Sequence, residues 1–208
     1  MRLVDAVSLR SRRRKLALFA ETMRPTPETT VLDVGVDDVG FGEERSFDHG
    51  ACGTLNFFEE LYPWPERITA LGLHEGAEFT ARYPATRYVR GSALELPFAD
   101  GSFDVYFSNA VIEHVGPLDA QRRFVAEALR VAPRVFITTP NRWFPVELHT
   151  RLPLVHWLPE PLAHRGYDLA RKPWAKENHL LGPRDLRGLF PGDVRIVNLG
   201  LTLAAIVG

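Results

Sequence analysis

Five short apolar runs, Val31 to Gly35, Ile68 to Leu71, Arg87 to Val89, Phe103 to Ser108 and Arg134 to Thr138, alternate with segments of helical spacing. That alternation is the pattern of βαβ units, because a strand that pairs in parallel with its predecessor needs a crossover, usually a helix, to carry the chain back. The runs are nearly continuous in apolar character, as strands covered on both faces must be. The C-terminus breaks the pattern: Val194 to Leu199 and Leu201 to Val207 are separated only by Gly200, so they predict an antiparallel pair. The sum is a doubly wound α/β sheet of seven strands, mostly parallel, with a C-terminal antiparallel hairpin.

The segments between the runs carry helix signals. Asn56 and Glu59 offer a capping-box-like start to a helix with Phe57, Phe58, Leu61 and Tyr62 on one face, and Pro63 stops it. Leu118, Val125, Ala128 and Leu129 form the stripe of a second, with Arg122, Arg123 and Glu127 outward. Leu9 to Met23 is a third, with Leu16, Phe19, Ala20 and Met23 inward and its arginines and Lys15 on a solvated face. A short helix is expected in PRDLRGLF. At 208 residues and 45% hydrophobic content, one domain spanning 1–208 is expected, with an N-terminal helical segment at 1–29. Residues 141–181, dense in Pro, His and Trp, read as an ordered excursion, since they are too aromatic to stay solvated.

A net charge of −1 exerts no global pull on nucleic acid, and no long basic stripe with interleaved aromatics is present, so nucleic acid is not an expected partner. Cys52 is alone, which fits a reducing compartment, and no apolar stretch is long enough to span a bilayer; a cytoplasmic location is expected. His149, His156 and His164 stand seven and eight residues apart, a spacing that matches no compact ligand pattern, so no metal site is expected.

The turn TVLDVGVDDVGFG, Thr30 to Gly42, follows the first strand. A dinucleotide fold needs three glycines there to let the backbone approach a pyrophosphate. Only Gly35 is in register; Asp37 takes the second glycine's place, and Gly40 and Gly42 come late. Two carboxylates, Asp37 and Asp38, would repel a pyrophosphate, which disfavours a nicotinamide-dependent oxidoreductase. No Gly-Lys-Ser/Thr follows, so a P-loop is excluded. S-adenosylmethionine, which has no phosphate and carries a sulfonium and an ammonium, suits an acidic turn.

VLDVG, GSALELPFADGSFDVYFSNAVIEHVG (Gly91 to Gly116) and ITTPNRWFPVELHT (Ile137 to Thr150) together resemble the class I S-adenosylmethionine-dependent methyltransferases of the broad type 11 branch, over about residues 30 to 208. The resemblance implies a Rossmann-like fold, S-adenosyl-L-methionine as cofactor and a small-molecule acceptor. It assigns Asp33 a supporting role in the first turn, Gly35 a binding role, and the Ser92, Ala93 and Leu94 turn the opposite wall. Three positions depart from it: Gly72 stands where an acidic residue grips the ribose, with Glu75 three residues on, Ser92 stands where Asp meets the adenine amine, and Asp37 displaces a glycine. Compensation by Asp37, Asp38 and Glu75 is one reading. The other is a degenerate relative that has lost the cofactor and serves as an assembly or regulatory partner.

Ser108 and Asn109 end the fourth strand at the carboxyl edge, where open α/β sheets bind ligands, and read either as contacts or as a simple helix cap. Glu113 and His114 are the candidate acid-base pair, because imidazole changes protonation near neutral pH. Asn141, Arg142, Trp143 and His149 are the candidate acceptor side. The aromatics Trp143, Phe144, Trp157 and Trp174 read equally as a pocket wall or as a satellite core.

Overall fold

The computed structural model describes residues 3–38 and 56–208; Gly40, Gly42 and Cys52 lie outside them. Helix α1 (Leu3–Met23) leads into β1 (Val31–Val34). Then come α2 (Phe57–Leu61), β2 (Ile68–Gly72), α3 (Ala77–Arg82), β3 (Arg87–Arg90), β4 (Val105–Asn109), α4 (Leu118–Val131) and β5 (Arg134–Pro140). After a segment containing α5 (Glu160–Leu169), the chain closes with α6 (Pro183–Arg187), β6 (Arg195–Asn198) and β7 (Thr202–Val207). The seven strands form one sheet in the order β3-β2-β1-β4-β5-β7-β6. The first five pair in parallel, and β7 is antiparallel to both β5 and β6. The seven-stranded, mostly parallel sheet with its terminal hairpin is therefore as the sequence leads one to expect. The chain order reverses between β1 and β4, which places a crevice at the carboxyl ends of those two strands.

Period-2 alternation distributes the strand residues between two cores. Leu32, Val34 and Tyr106 face Phe124, Val125 and Ala128 of α4 and Leu186 of α6. Val31, Val105 and Phe107 face Phe19 and Met23 of α1 and Phe57 and Phe58 of α2. Phe19 is the hinge of the second core: it meets Phe58, Phe107 and Phe136 edge to face at 5.1, 5.5 and 5.5 Å. Such contacts contribute about 1 kcal/mol each beyond their buried area. The outermost strands, β3 and β6, are only partly buried and carry Arg87, Arg90 and Arg195 at their ends, charges that discourage pairing with another sheet.

The helix stripes need correction. On α1, Lys15 and Leu18 are buried and Ala20 is exposed, because the inward face runs Lys15, Phe19, Met23 at steps of four. On α4 the buried set is Gln121, Phe124, Val125, Ala128 and Val131, and Leu118 points to solvent. Leu61 is 41% exposed at the end of a helix only five residues long. Asn56 makes no side-chain cap of α2; its Oδ1 accepts from the Asp37 amide at 3.0 Å and its Nδ2 donates to the Asp37 carbonyl at 2.8 Å. A side chain that clasps a neighbouring turn cannot also cap its own helix.

The 141–181 excursion is ordered. It contains single 3-10 turns at Val155–Trp157 and Pro173–Glu177 besides α5. A bridge between Asn141 and Leu181 joins its two ends, so it leaves and returns at the carboxyl end of β5. Ala163, Tyr167 and Ala175, with Leu152, Val155 and Trp174, give it a small core of its own.

Candidate functional site along the carboxyl edge

At the end of β1 the chain turns at Gly35 with φ +97. The Gly35 and Val36 amides both donate to the Leu71 carbonyl of β2, at 2.9 and 3.3 Å, which pins the turn to its neighbour. A Cβ at Gly35 would collide with the Val111 side chain. A similar squeeze holds Gly72, where a Cβ would stand 2.6 Å from the Tyr88 hydroxyl and 2.9 Å from the Val36 carbonyl. The Tyr88 hydroxyl donates to the His74 carbonyl at 2.8 Å. Next along the edge, the Gly91 amide donates to the Gly72 carbonyl at 2.9 Å. Gly35, Gly72 and Gly91 thus stand in a row at the ends of three adjacent strands, with backbone facing where side chains have no room.

The acidic residues of this half divide by function. Asp38 caps α3: its two oxygens accept from the Gly76 and Phe79 amides, both at 2.8 Å. Glu75 forms an ion pair with Arg90 in solvent. The Asp37 backbone is held by Asn56, and its side chain is half-buried at the turn. Asp33 is buried against Glu59 of α2, and burial lifts both carboxyls, Glu59 to about 7. The neighbouring Glu59 adds to the rise at Asp33, while Asp33 opposes part of the rise at Glu59. Ser92, exposed, closes its own turn by accepting from the Leu94 amide at 3.2 Å, while Ala93 and Leu94 pack against the main core.

The other half of the edge is built from side chains. Ser108, fully buried, donates to the Val34 carbonyl at 2.9 Å and so ties β4 to β1. Asn109 Oδ1 accepts from Thr138 at 2.9 Å and from the Lys15 ammonium at 2.5 Å. Burial, aided by Arg12 and opposed by Glu113, pulls Lys15 down to about 8. Its ammonium also lies 5.2 Å from the centre of the Phe57 ring. Ala110 then takes φ +57, an uncommon value for a side-chain residue, and the chain turns through Val111 to His114.

That turn delivers Glu113 and His114 to His149 of the excursion. Glu113 is fully buried; Thr139 donates to its Oε2 at 3.0 Å, and its Oε1 stands 3.9 Å from His114 Nε2 and 3.8 Å from His149 Nε2. The two imidazoles meet edge to face at 4.8 Å. His149 Nδ1 is paired with Glu147 at 2.7 Å, and Glu147 also accepts the His149 and Thr150 amides. Although burial opposes it, the bond to Glu147, with the nearby Glu113, raises His149 above the ordinary imidazole range. Burial likewise opposes ionisation of Glu147, but the same pairing, the Thr150 side chain and the His149 amide hold it at about 2. Burial lowers His114, against the pull of Glu113.

Asn141, Arg142 and Trp143 do not join this cluster. Asn141 is buried and clamps the excursion, donating to the Gly200 carbonyl at 3.0 Å and accepting from the Trp143 amide at 3.0 Å. Arg142 is exposed and lies over the Trp143 ring, and Trp143 itself is 56% exposed. His156 bonds the Phe144 carbonyl, and His164 pairs with Glu160, so these two histidines take partners different from those of His149. Lys15, Glu59, Thr139 and Glu147 are site residues that the sequence reading misses. Lys15 was findable, since it falls on the apolar stripe of α1 at four-residue steps.

Residues 47–134 match the family described as Methyltransferase domain. A probable S-adenosylmethionine-dependent methyltransferase of Mycobacterium tuberculosis (strain ATCC 25618 / H37Rv) is 33% identical over 122 residues, 57% of this chain and 39% of that relative; the CDC 1551 / Oshkosh counterpart matches equally. This chain thus aligns with about two-fifths of the length of those relatives. Among solved structures, a protein of Pyrococcus horikoshii OT3 shares the fold with a TM-score of 0.57 at 16% identity, covering 96% of this chain and 90% of that one. The N-methyltransferase NodS of Bradyrhizobium japonicum WM9, solved with S-adenosyl-L-homocysteine, gives 0.55 at 14% identity, covering 94% and 85%.

Proposed function

We propose that this chain, whose sequence and fold belong with the class I S-adenosylmethionine-dependent methyltransferases, binds S-adenosylmethionine along the ends of β1, β2 and β3 and methylates a small-molecule acceptor beside β4 and β5. The observation that carries the reading is the row of Gly35, Gly72 and Gly91. At these three positions Val111, Tyr88 and Leu71 pack so closely that only bare backbone fits, and the row runs outward from the sheet's reversal point between β1 and β4. The bound group supplies a methyl activated on a positively charged sulfur.

The chain's own residues divide the remaining work. The Gly35 turn and the Ser92 to Leu94 turn form the two walls, and among the described residues of this half Asp37 is the carboxylate that faces a cation, since Asp38 and Glu75 hold other partners. Asp33 supports the turn from beneath rather than touching a ligand. At the acceptor end, Glu113, His114 and His149 converge. Burial pushes His114 below its ordinary range, and its half-exposed ring is the member of the group that an acceptor can reach. Positioning of the two reactants accounts for most of the rate, because the leaving group departs from an already activated centre.

Calorimetric titration of the folded chain with S-adenosylmethionine and with S-adenosylhomocysteine tests the reading before any acceptor is known. Saturable binding of both is expected. A folded chain that binds neither would favour a degenerate relative acting as an assembly or regulatory partner.

A further inference from the structure

We propose that Glu113, His114 and His149 form a binding site for a first-row divalent metal ion, with Zn2+ as the chemistry that fits best. Two imidazoles and one carboxylate are a recurrent donor set for zinc sites that keep an open position. One ligand atom from each lies within 4.8 Å of the others. Bonds of about 2.0 to 2.2 Å in a tetrahedral site put donor atoms roughly 3.3 Å apart. The Glu113 to His149 and Glu113 to His114 separations of 3.8 and 3.9 Å are about half an ångström too long, and the two imidazoles, within 4.8 Å of each other, must draw together further, a movement open to the half-exposed His114 ring.

A second observation points to a ligand. Glu113 Oε1 is fully buried, accepts no hydrogen bond, and lies between the two imidazoles at distances too long for one. Its sister oxygen is satisfied by Thr139. A plain charge network would close those gaps to hydrogen-bond length; an oxygen left bare and aimed at two ring nitrogens is what an ion would complete.

The surroundings have the form of an outer shell. Glu147 takes His149 Nδ1 at 2.7 Å, which leaves Nε2 on the side facing Glu113. Thr139 fixes the Glu113 carboxylate through its other oxygen. The His114 side chain is 45% exposed, so an ion has a way in and an open position toward solvent. This departs from the expectation of no metal, which weighed His149 only with His156 and His164. Any part the ion plays in holding an acceptor rests on the methyltransferase reading; binding of the ion does not.

The test is titration of the chelator-treated full chain with zinc chloride, followed by counting metal retained after dialysis. One equivalent is expected for the wild type. His114→Ala, at a half-exposed ring, and His149→Gln should each weaken binding at least tenfold, and Glu147→Gln about tenfold through the outer shell. His156→Ala should bind as the wild type does. Circular dichroism of each variant reports folding, and His114→Ala keeps the test valid if the His149 variant unfolds. Zinc retained undiminished by His114→Ala, or no zinc retained by the folded wild type, overturns the proposal. Titration of the same samples with S-adenosylhomocysteine separates the two ideas: zinc without the nucleoside sinks the methyltransferase reading, and the nucleoside without zinc sinks this one.

Discussion

At the ends of β1, β2 and β3 the positions that matter are glycines and backbone amides, whereas at the ends of β4 and β5 they are buried charged side chains. Gly35, Gly72 and Gly91 present no side chain at all, while Lys15, Glu113, Glu147 and His149 are withdrawn from solvent and held by one another and by Asn109, Thr138 and Thr139. A backbone cradle recognises a ligand by shape and tolerates sequence drift in the side chains around it. A buried charge network is unforgiving, because removing one member strands another in low dielectric. On the proposed methyltransferase reading, the contrast accounts for a first half that carries Gly72 rather than an acidic residue at the end of β2. It also locates the half in which single substitutions should cost most.

The largest effect should come from the network. His149→Ala leaves Glu147 buried without its cation and should destabilise the fold by about 3 kcal/mol. Urea melts at neutral pH measure it, and a loss within error would mean the network is not under electrostatic load. The glycine half breaks by a different route: Gly35→Ala adds a Cβ at positive φ against Val111, with an expected cost of about 2 kcal/mol. Val111→Ala in the same chain should recover part of that loss, and no recovery would place the strain elsewhere.

A third effect lies under β1. Glu59 has a folded pKa of about 7, raised above its ordinary value of 4.5, so its contribution is fully present below about pH 4.5 and is lost as pH rises through 7. Stability should therefore fall by on the order of 2 kcal/mol between pH 5 and 8, and Glu59→Gln should flatten that slope. An unchanged slope would show that the Asp33–Glu59 pair does not titrate in this window. The smallest effect is expected at Trp143. Being 56% exposed, Trp143→Ala should cost under about 1 kcal/mol, against roughly 3 to 5 for a core tryptophan.

The sheet was legible because apolar runs and helical spacing are local signals. Each run sits on a strand, and Gly200 marks the break between β6 and β7. Gly35 was legible too, since its place after an apolar strand implies a tight turn. Lys15 was misread because charge suggests solvent, although its four-residue step to Phe19 and Met23 says core. The Asp33–Glu59 contact joins positions 26 residues apart by pairwise packing, and no periodicity encodes it. The meeting of Glu113 and His114 with His149 depends on how the excursion folds back over β5, which residue types alone do not specify. Of the aromatics in the excursion, Trp174 follows the satellite-core reading, whereas Trp143 lies at the surface over Gly182, as neither reading anticipated.

Hydrogen exchange of backbone amides with and without saturating S-adenosylhomocysteine tests the division of the edge most directly. The account predicts slowed exchange at residues 34–37, 72–76 and 91–95, with little change at 147–150. Protection confined to the 141–181 excursion, or none at the Gly35 turn in a chain that binds the nucleoside, would contradict it.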